Sequence, residues 1–160
     1  MVEYTWQGRI YTRPDTEPPQ IRDSDALHPV FGAPLAAYLE QANKVLTHVL
    51  IRPSETIRSV ERQAWLFAQG RDPTMIAQGF RRQVTWTLDS MHLYGLAADL
   101  VMIRRSNNQA IWETTSWQWL YRVVPPTDFG LTSLAPTEWV HLEHICAKEL
   151  IKKGIYSRGR

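Results

Sequence analysis

Apolar residues at Leu35, Leu39, Ala42, Leu46 and Val49 recur at three- and four-residue intervals, which places them on one side of a helix and predicts an α-helix over about 34–50. A second helix is announced by Ser59, a suitable N-cap, with Glu61 in the first turn. Its apolar stripe is Val60, Ala64, Phe67 and Ala68, and Gly70 ends it. The run Ala97 to Ile103 (AADLVMI) is apolar except for Asp99 and reads as a buried strand. Val84 to Thr87 reads as a short strand ahead of it. Trp112 to Val124 predicts a helix that stops at Pro125-Pro126, and Ala147 to Lys153 a terminal helix ended by Gly154. Residues 1–33 lack periodicity and contain Pro14, Pro18, Pro19 and Pro29, so an irregular arm laid over the domain is expected. The sum is an α+β fold, helices packed on a small, mainly antiparallel sheet.

Length and composition narrow the setting. A chain of 160 residues with 44% hydrophobic positions fits one domain, because this length suffices to bury a sizeable core. Most of its seven tryptophans are expected there, with some left to line a cleft. The net charge of +2 comes without a concentrated Lys/Arg stripe, which argues against a nucleic-acid partner. The basic tail Lys152 to Arg160 reads as a solvated terminus or as an adhesive for an anionic surface. The single Cys146 leaves no internal disulfide and is expected in the core. No stretch approaches the roughly 20 apolar residues of a membrane span, and Met1 to Arg9 shows no apolar signal core.

The chemistry is concentrated in two segments. Ser90 to Asp99 (SMHLYGLAAD) sets His92 and Asp99 seven positions apart around Gly95, and Glu138-Trp139-Val140-His141 brings a second histidine later. Two imidazoles and a carboxylate are a donor set for a catalytic zinc, whose fourth tetrahedral position stays with water. Residues seven apart on one regular strand point to opposite faces. The chain must therefore bend between His92 and Asp99, and Gly95 permits it. Glu138 and His141 are three apart, so a helical turn or a kinked strand would bring both to one site. Glu138 is then the carboxylate outside the ligand set, able to take and return a proton. Arg58 stands just before the capped helix, aimed at a carboxylate or a developing oxyanion; a surface ion pair is the plainer reading of it. His28 and His48 read as structural histidines. His144 competes with His141 as a ligand, and Asp89, Ser90 and Glu143 are candidates to support the ligands.

In its order of motifs the chain resembles the M15 family of zinc peptidases: His92, Gly95, Ala97, Asp99, then Glu138 and His141. A third block, Arg58-Ser59-Val60-Glu61-Arg62-Gln63 followed by Phe67-Ala68-Gln69-Gly70-Arg71, is similar to the segment before the metal motif in the L-alanyl-D-glutamate endopeptidase branch. The likeness covers about residues 35–150. It implies an M15 fold, Zn2+ held by His92, Asp99 and His141, with Glu138 and Arg58 catalytic and Arg58, Gln63 and Ser90 binding substrate. The implied reaction is hydrolysis of the bond between L-alanine and D-glutamate in the peptidoglycan stem peptide. The D,D-carboxypeptidase or dipeptidase branch, acting on D-Ala-D-Ala, is the alternative within the class. A non-catalytic zinc-stabilised cell-wall-binding module is the alternative outside it. Where the endopeptidases carry a Trp-Gly-Gly stretch before the last ligand, this chain has Phe129 to Pro136. The resemblance and the missing signal core together suggest a phage endolysin, a monomer without a separate cell-wall-binding domain. It would be held in the host cytoplasm until a pore-forming protein opens the membrane.

Overall fold

In the computed structural model, which describes residues 1–154, the chain opens with an antiparallel hairpin, β1 (Val2–Trp6) and β2 (Arg9–Arg13). The irregular arm expected over 1–33 is thus confined to the proline-bearing stretch between β2 and α1 (Pro29–Val45), apart from a single 3-10 turn at Ser24–Ala26. The signal for the hairpin was present: Val2, Tyr4 and Trp6 alternate with polar residues, and Gln7-Gly8, both at positive φ, supplies the turn.

Helix α1 begins five residues earlier than the periodicity suggests. His28 caps it through Nδ1, which accepts from the Val30 N–H, and Pro29 occupies the first turn, where its missing N–H costs nothing. Phe31, Leu35, Tyr38 and Ala42 form its buried face. Burying side chains of that size contributes roughly 1.5–3 kcal/mol each. That outweighs the ~3 kcal/mol an internal Pro34 costs a helix. The helix ends at Val45, and Val49 belongs instead to strand β3 (Val49–Glu55).

Next come α2 (Val60–Ala68), α3 (Pro73–Ala77), β4 (Ala97–Arg104), β5 (Ala110–Ile111), α4 (Thr114–Val123), β6 (Leu131–Leu134), β7 (Glu138–His144) and α5 (Ala147–Lys152). Residues Val84 to Thr87, expected as a strand, pair with no other strand. The sheet runs β3-β4-β7-β6, all antiparallel, with β5 alongside the end of β4. Ala98, Leu100 and Met102 of β4 face the main core with Ile51, Leu131, Leu142, Trp117 and the buried face of α1. The strand period of two then sends Asp99 to the opposite face. A smaller apolar cluster, Tyr4, Trp65, Ala68 and Met75, lies between the hairpin and α2. Cys146, expected in the core, is exposed at the junction of β7 and α5. Of the basic tail, residues 155–160 lie outside the described residues. No described helix is long and apolar enough to cross a membrane.

Candidate metal centre and cleft

Strand register assembles the centre. Asp99 of β4 and His141 of β7 are direct partners in the antiparallel ladder, so their side chains rise from the same face. His92 arrives from the 3-10 turn Met91–Tyr94, which Ser90 caps through its hydroxyl. Gly95 closes that turn with φ +66°, and a Cβ there would lie 2.9 Å from the backbone nitrogen of His28. The turn and bend let His92 fold back over Asp99, as the seven-residue spacing requires.

Donor atoms of His92, Asp99 and His141 all lie within 4.8 Å of one another. Asp99 Oδ1 is 3.3 Å from His92 Nε2 and 3.2 Å from His141 Nδ1. The outer nitrogens fix the tautomers. His92 Nδ1 is 2.6 Å from the Thr56 carbonyl, which only accepts, so this nitrogen donates and Nε2 is the one turned to the centre. His141 Nε2 is 3.1 Å from the Glu143 carboxylate, which leaves Nδ1 as the inward donor atom. An imidazole anchored through one nitrogen to a carbonyl or carboxylate, with the other turned inward, is oriented for a metal. Two such imidazoles and a carboxylate fit a three-ligand zinc site.

Without a cation the charges settle on the protein. Burial pushes the Asp99 carboxyl up, but the charges and hydrogen bonds of His92 and His141 outweigh it and hold the group well below the usual carboxylate range. Burial lowers His141, yet its bonds to Asp99 and Glu143 raise it to about 9. A metal entering at neutral pH therefore displaces a proton from His141. Glu138 is raised, first by partial burial and then by the Asp99 charge, with His141, His92 and Arg58 opposing.

Glu138 and His141 share the cleft because β7 is irregular. Ser133 of β6 pairs with Leu142, but the next residue, Leu134, pairs with Glu138. The skipped residues form a bulge that cancels the strand's alternation. This is the kinked-strand solution; the helical-turn one is not used. His144 is turned away, its Nδ1 accepting from the Cys146 N–H at 3.1 Å.

Arg58 is buried, not on the surface. Its Nε and Nη2 donate to Glu55 at 3.1 and 2.6 Å, Nη2 also to Asp99 Oδ2 at 3.1 Å, and Nη1 to Gln63 Oε1 at 2.8 Å. Glu55 also accepts from Arg62 Nε, and Arg62 reaches Glu17 at 2.8 Å. Gln63, expected to touch substrate, is completely buried behind the guanidinium. Its amide nitrogen donates to Thr85 Oγ1 and the Thr87 carbonyl at 3.1 and 2.6 Å. It orients Arg58 and the following loop. Ser90 does line the cleft.

The cleft over this face has a volume of about 490 Å³, with Arg58, Trp86, Ser90, Glu138, Glu143 and Lys148 among its walls. Glu143, a candidate to support the ligands, does so from the outer side of His141, whereas Glu55 carries no signal in the sequence. Glu143 stands two positions after His141, the spacing of neighbours on one strand face, which was the available signal.

No protein-family model and no curated protein sequence matches the chain. Solved structures do. The L-Ala D-Glu endopeptidase ChiX of Serratia marcescens aligns with TM-score 0.52 at 19% identity, over 79% of this chain and 86% of its own. VanYB in complex with D-Alanine-D-Alanine aligns with TM-score 0.55 at 16% identity, over 88% and 86%. A vancomycin-resistance D,D-pentapeptidase VanY in complex with Zn(II) gives TM-score 0.53 at 16% identity, over 89% of both chains. With its small antiparallel sheet, flanking helices and His-Asp-His cluster, the chain has the fold of the M15-type peptidases.

Proposed function

We propose that this chain is a zinc-dependent peptidoglycan peptidase that hydrolyses the amide bond between L-alanine and D-glutamate of the stem peptide. The observation that carries the reading is the convergence of His92, Asp99 and His141 on one point of a cleft, with the Glu138 carboxylate beside them and outside the donor set. A structural zinc is normally closed by four protein ligands and has no use for such a carboxylate. The engagement of His144 with Cys146 removes the obvious fourth ligand and weighs against a non-catalytic binding module. The choice of bond rests on the Arg58 to Arg71 sequence block and on the likeness to ChiX. The likeness to VanYB bound to D-Alanine-D-Alanine favours the second reading, a D,D-carboxypeptidase or dipeptidase.

When bound, zinc would polarise the scissile carbonyl and make water acidic enough to serve as hydroxide near neutral pH. Glu138 accepts the proton from the attacking water and delivers it to the leaving amine; its raised affinity for protons suits both halves of that task. Arg58, locked by Glu55 and Gln63, holds positive charge next to Asp99 and keeps one Nη1 hydrogen for an oxyanion or a substrate carboxylate. Ser90 fixes the His92 turn and lines the substrate cleft. The setting we propose is that of a monomeric phage endolysin, retained in the host cytoplasm until the membrane is opened.

Mass spectrometry of purified peptidoglycan fragments after incubation with the zinc-loaded protein tests this, with Glu138→Ala as the matched control. New L-alanine C-termini and D-glutamate N-termini, absent with the variant, are expected. Released D-alanine would move the enzyme to the carboxypeptidase branch. Intact fragments with a folded, zinc-loaded protein would reject the peptidase for that wall type.

A further inference from the structure

Residues Gly79 to Ser90 link α3 to the ligand-bearing turn, and α2 together with the residues just after it pins them at three places. The Gly70 N–H donates to the Phe80 carbonyl at 2.9 Å, and a Cβ on Gly70 would stand only 2.6 Å from the nitrogen of Gln83. Arg71, 4% exposed, donates through Nη2 to Gln83 Oε1 and the Thr85 carbonyl at 3.2 and 2.9 Å, and through Nη1 to the Phe67 carbonyl at 2.6 Å. Its guanidinium sits in the corner formed by the perpendicular rings of Trp6 and Phe67, 4.9 and 4.0 Å from their centres. Gln63 holds Thr85 and Thr87.

A segment held this firmly would be expected to bury its apolar side chains. Instead Val84, Trp86 and Leu88 are turned outward, with Trp86 78% exposed. Single exposed apolar residues are ordinary. Here three occur at alternate positions on one braced segment, and Val84 and Trp86 border the cleft of the proposed metal centre. A rigid backbone has already met the ordering cost that a mobile loop would meet on binding.

We infer that Trp86, with Val84 beside it, is a platform on which a saccharide ring of the substrate stacks, so that the enzyme grips the glycan to which the cleaved peptide is attached. The inference rests on the reading of peptidoglycan as substrate. A pyranose has a flat face of C–H groups and a rim of hydroxyls. The cleft offers the matching arrangement, an indole face accompanied by the polar Thr85, Thr87 and Ser90. Reach agrees as well. In the stem peptide the lactyl bridge and one residue separate the sugar from the L-alanine–D-glutamate bond, about 7 Å of extended chain, and three further residues, about 10 Å more, lie before the terminal D-alanine bond. A sugar that close to the reacting carbonyl belongs in the same cleft, so Trp86 is a specificity residue of the endopeptidase reaction and plays no part in bond breaking.

The test compares a disaccharide-linked stem peptide with the free stem peptide of the same sequence, using wild type, Trp86→Ala and Trp86→Phe. The expected result is a KM raised about tenfold by Trp86→Ala on the disaccharide-linked substrate, the worth of one aromatic stacking contact. kcat should stay within about twofold, the pattern of lost uniform binding. The free peptide should be cut equally by all three proteins, and Trp86→Phe should retain most of the affinity. Equal losses on both substrates, or no loss on either, overturn the inference, as does a shift from dimer to monomer in Trp86→Ala, which would make the patch a contact between copies. If wild type cuts neither substrate, the proposed function fails separately. The inference is then decided by titrating the peptide-free disaccharide and following tryptophan fluorescence: a saturable change present in wild type and lost in Trp86→Ala supports it, and none overturns it.

Discussion

Gly95 is the residue on which the centre turns. Its φ of +66° costs any L side chain about 1–2 kcal/mol, and a Cβ would also press against the His28 nitrogen, whose N–H bonds the Gly95 carbonyl at 3.0 Å. Gly130 shares the conformation, φ +72°, with open space around it. Gly95→Ala should therefore lose at least about 1 kcal/mol more than Gly130→Ala in urea unfolding. Equal losses would show that the 95–28 contact yields freely. Glu143 acts through His141: with the carboxylate gone, the imidazole loses the partner that fixes its tautomer. Glu143→Ala is expected to weaken zinc binding about 10–100-fold in competition with a chelator, and unchanged affinity would mean that the β4–β7 ladder alone orients the ring. The cluster of His92, Asp99 and His141 was legible because few chemistries need those donor types together. Glu143 was legible only as a candidate, through its two-residue spacing from His141, and Glu55 was not, because a carboxylate carries no mark of the partner it will orient until the chain has folded.

Among the elements, β4 was readable from an apolar run interrupted only by Asp99, the signature of a strand covered on both faces. Its neighbour β3 was not: Leu46 and Val49 fit the spacing of α1 as well as a strand, and only pairing with β4 settles Val49. Helix α2 was found at its cap, where Ser59 Oγ accepts from the Arg62 N–H at 3.1 Å, but its buried face was misjudged. Phe67 and Ala68 are buried as expected, but Val60 is exposed while Arg62 and Gln63 are buried, because the helix packs on the polar centre as well as on the apolar cluster under the hairpin. Val84 to Thr87 alternates like a strand although it pairs with none; the alternation reflects residues turned in to Arg71 and Gln63 or out to the cleft. At this scale Glu55, at the end of β3, is the tie between strand and helix, 4% exposed and shared by Arg58 and Arg62. Glu55→Ala would leave two guanidinium groups buried without it. A loss of about 3–5 kcal/mol in denaturant unfolding is expected, and less than about 1 kcal/mol would show that water or Glu17 takes over.

For the whole molecule, the buried tyrosines set the alkaline limit. Burial, the largest influence on each, raises Tyr4 to about 12 and moves Tyr38 and Tyr121 higher still. Below pH 10 these phenols are neutral whether the chain is folded or not, and their contribution is complete. As pH climbs from 10 through 12 the unfolded chain ionises first and gains the free energy of doing so, so stability falls. Urea midpoints should hold from pH 7 to about 9.5 and decline steadily beyond 10; a flat profile to pH 12 would contradict the burial. Tyr38 also buries a hydroxyl with no hydrogen-bond partner among the described residues. Tyr38→Phe should accordingly be neutral or stabilising by about 1 kcal/mol.

The N-terminal hairpin is bolted to α2 and α3 through the Trp6 ring over Arg71 and through the buried Arg13–Asp72 pair at 2.5 Å. The same Arg71 holds Gln83 and Thr85, so the first strands of the chain and the rim of the cleft share one rivet. Cargo attached ahead of Met1 that levers the hairpin outward would be felt first at that rim, in the hold on residues 83–85, with the sheet beneath undisturbed.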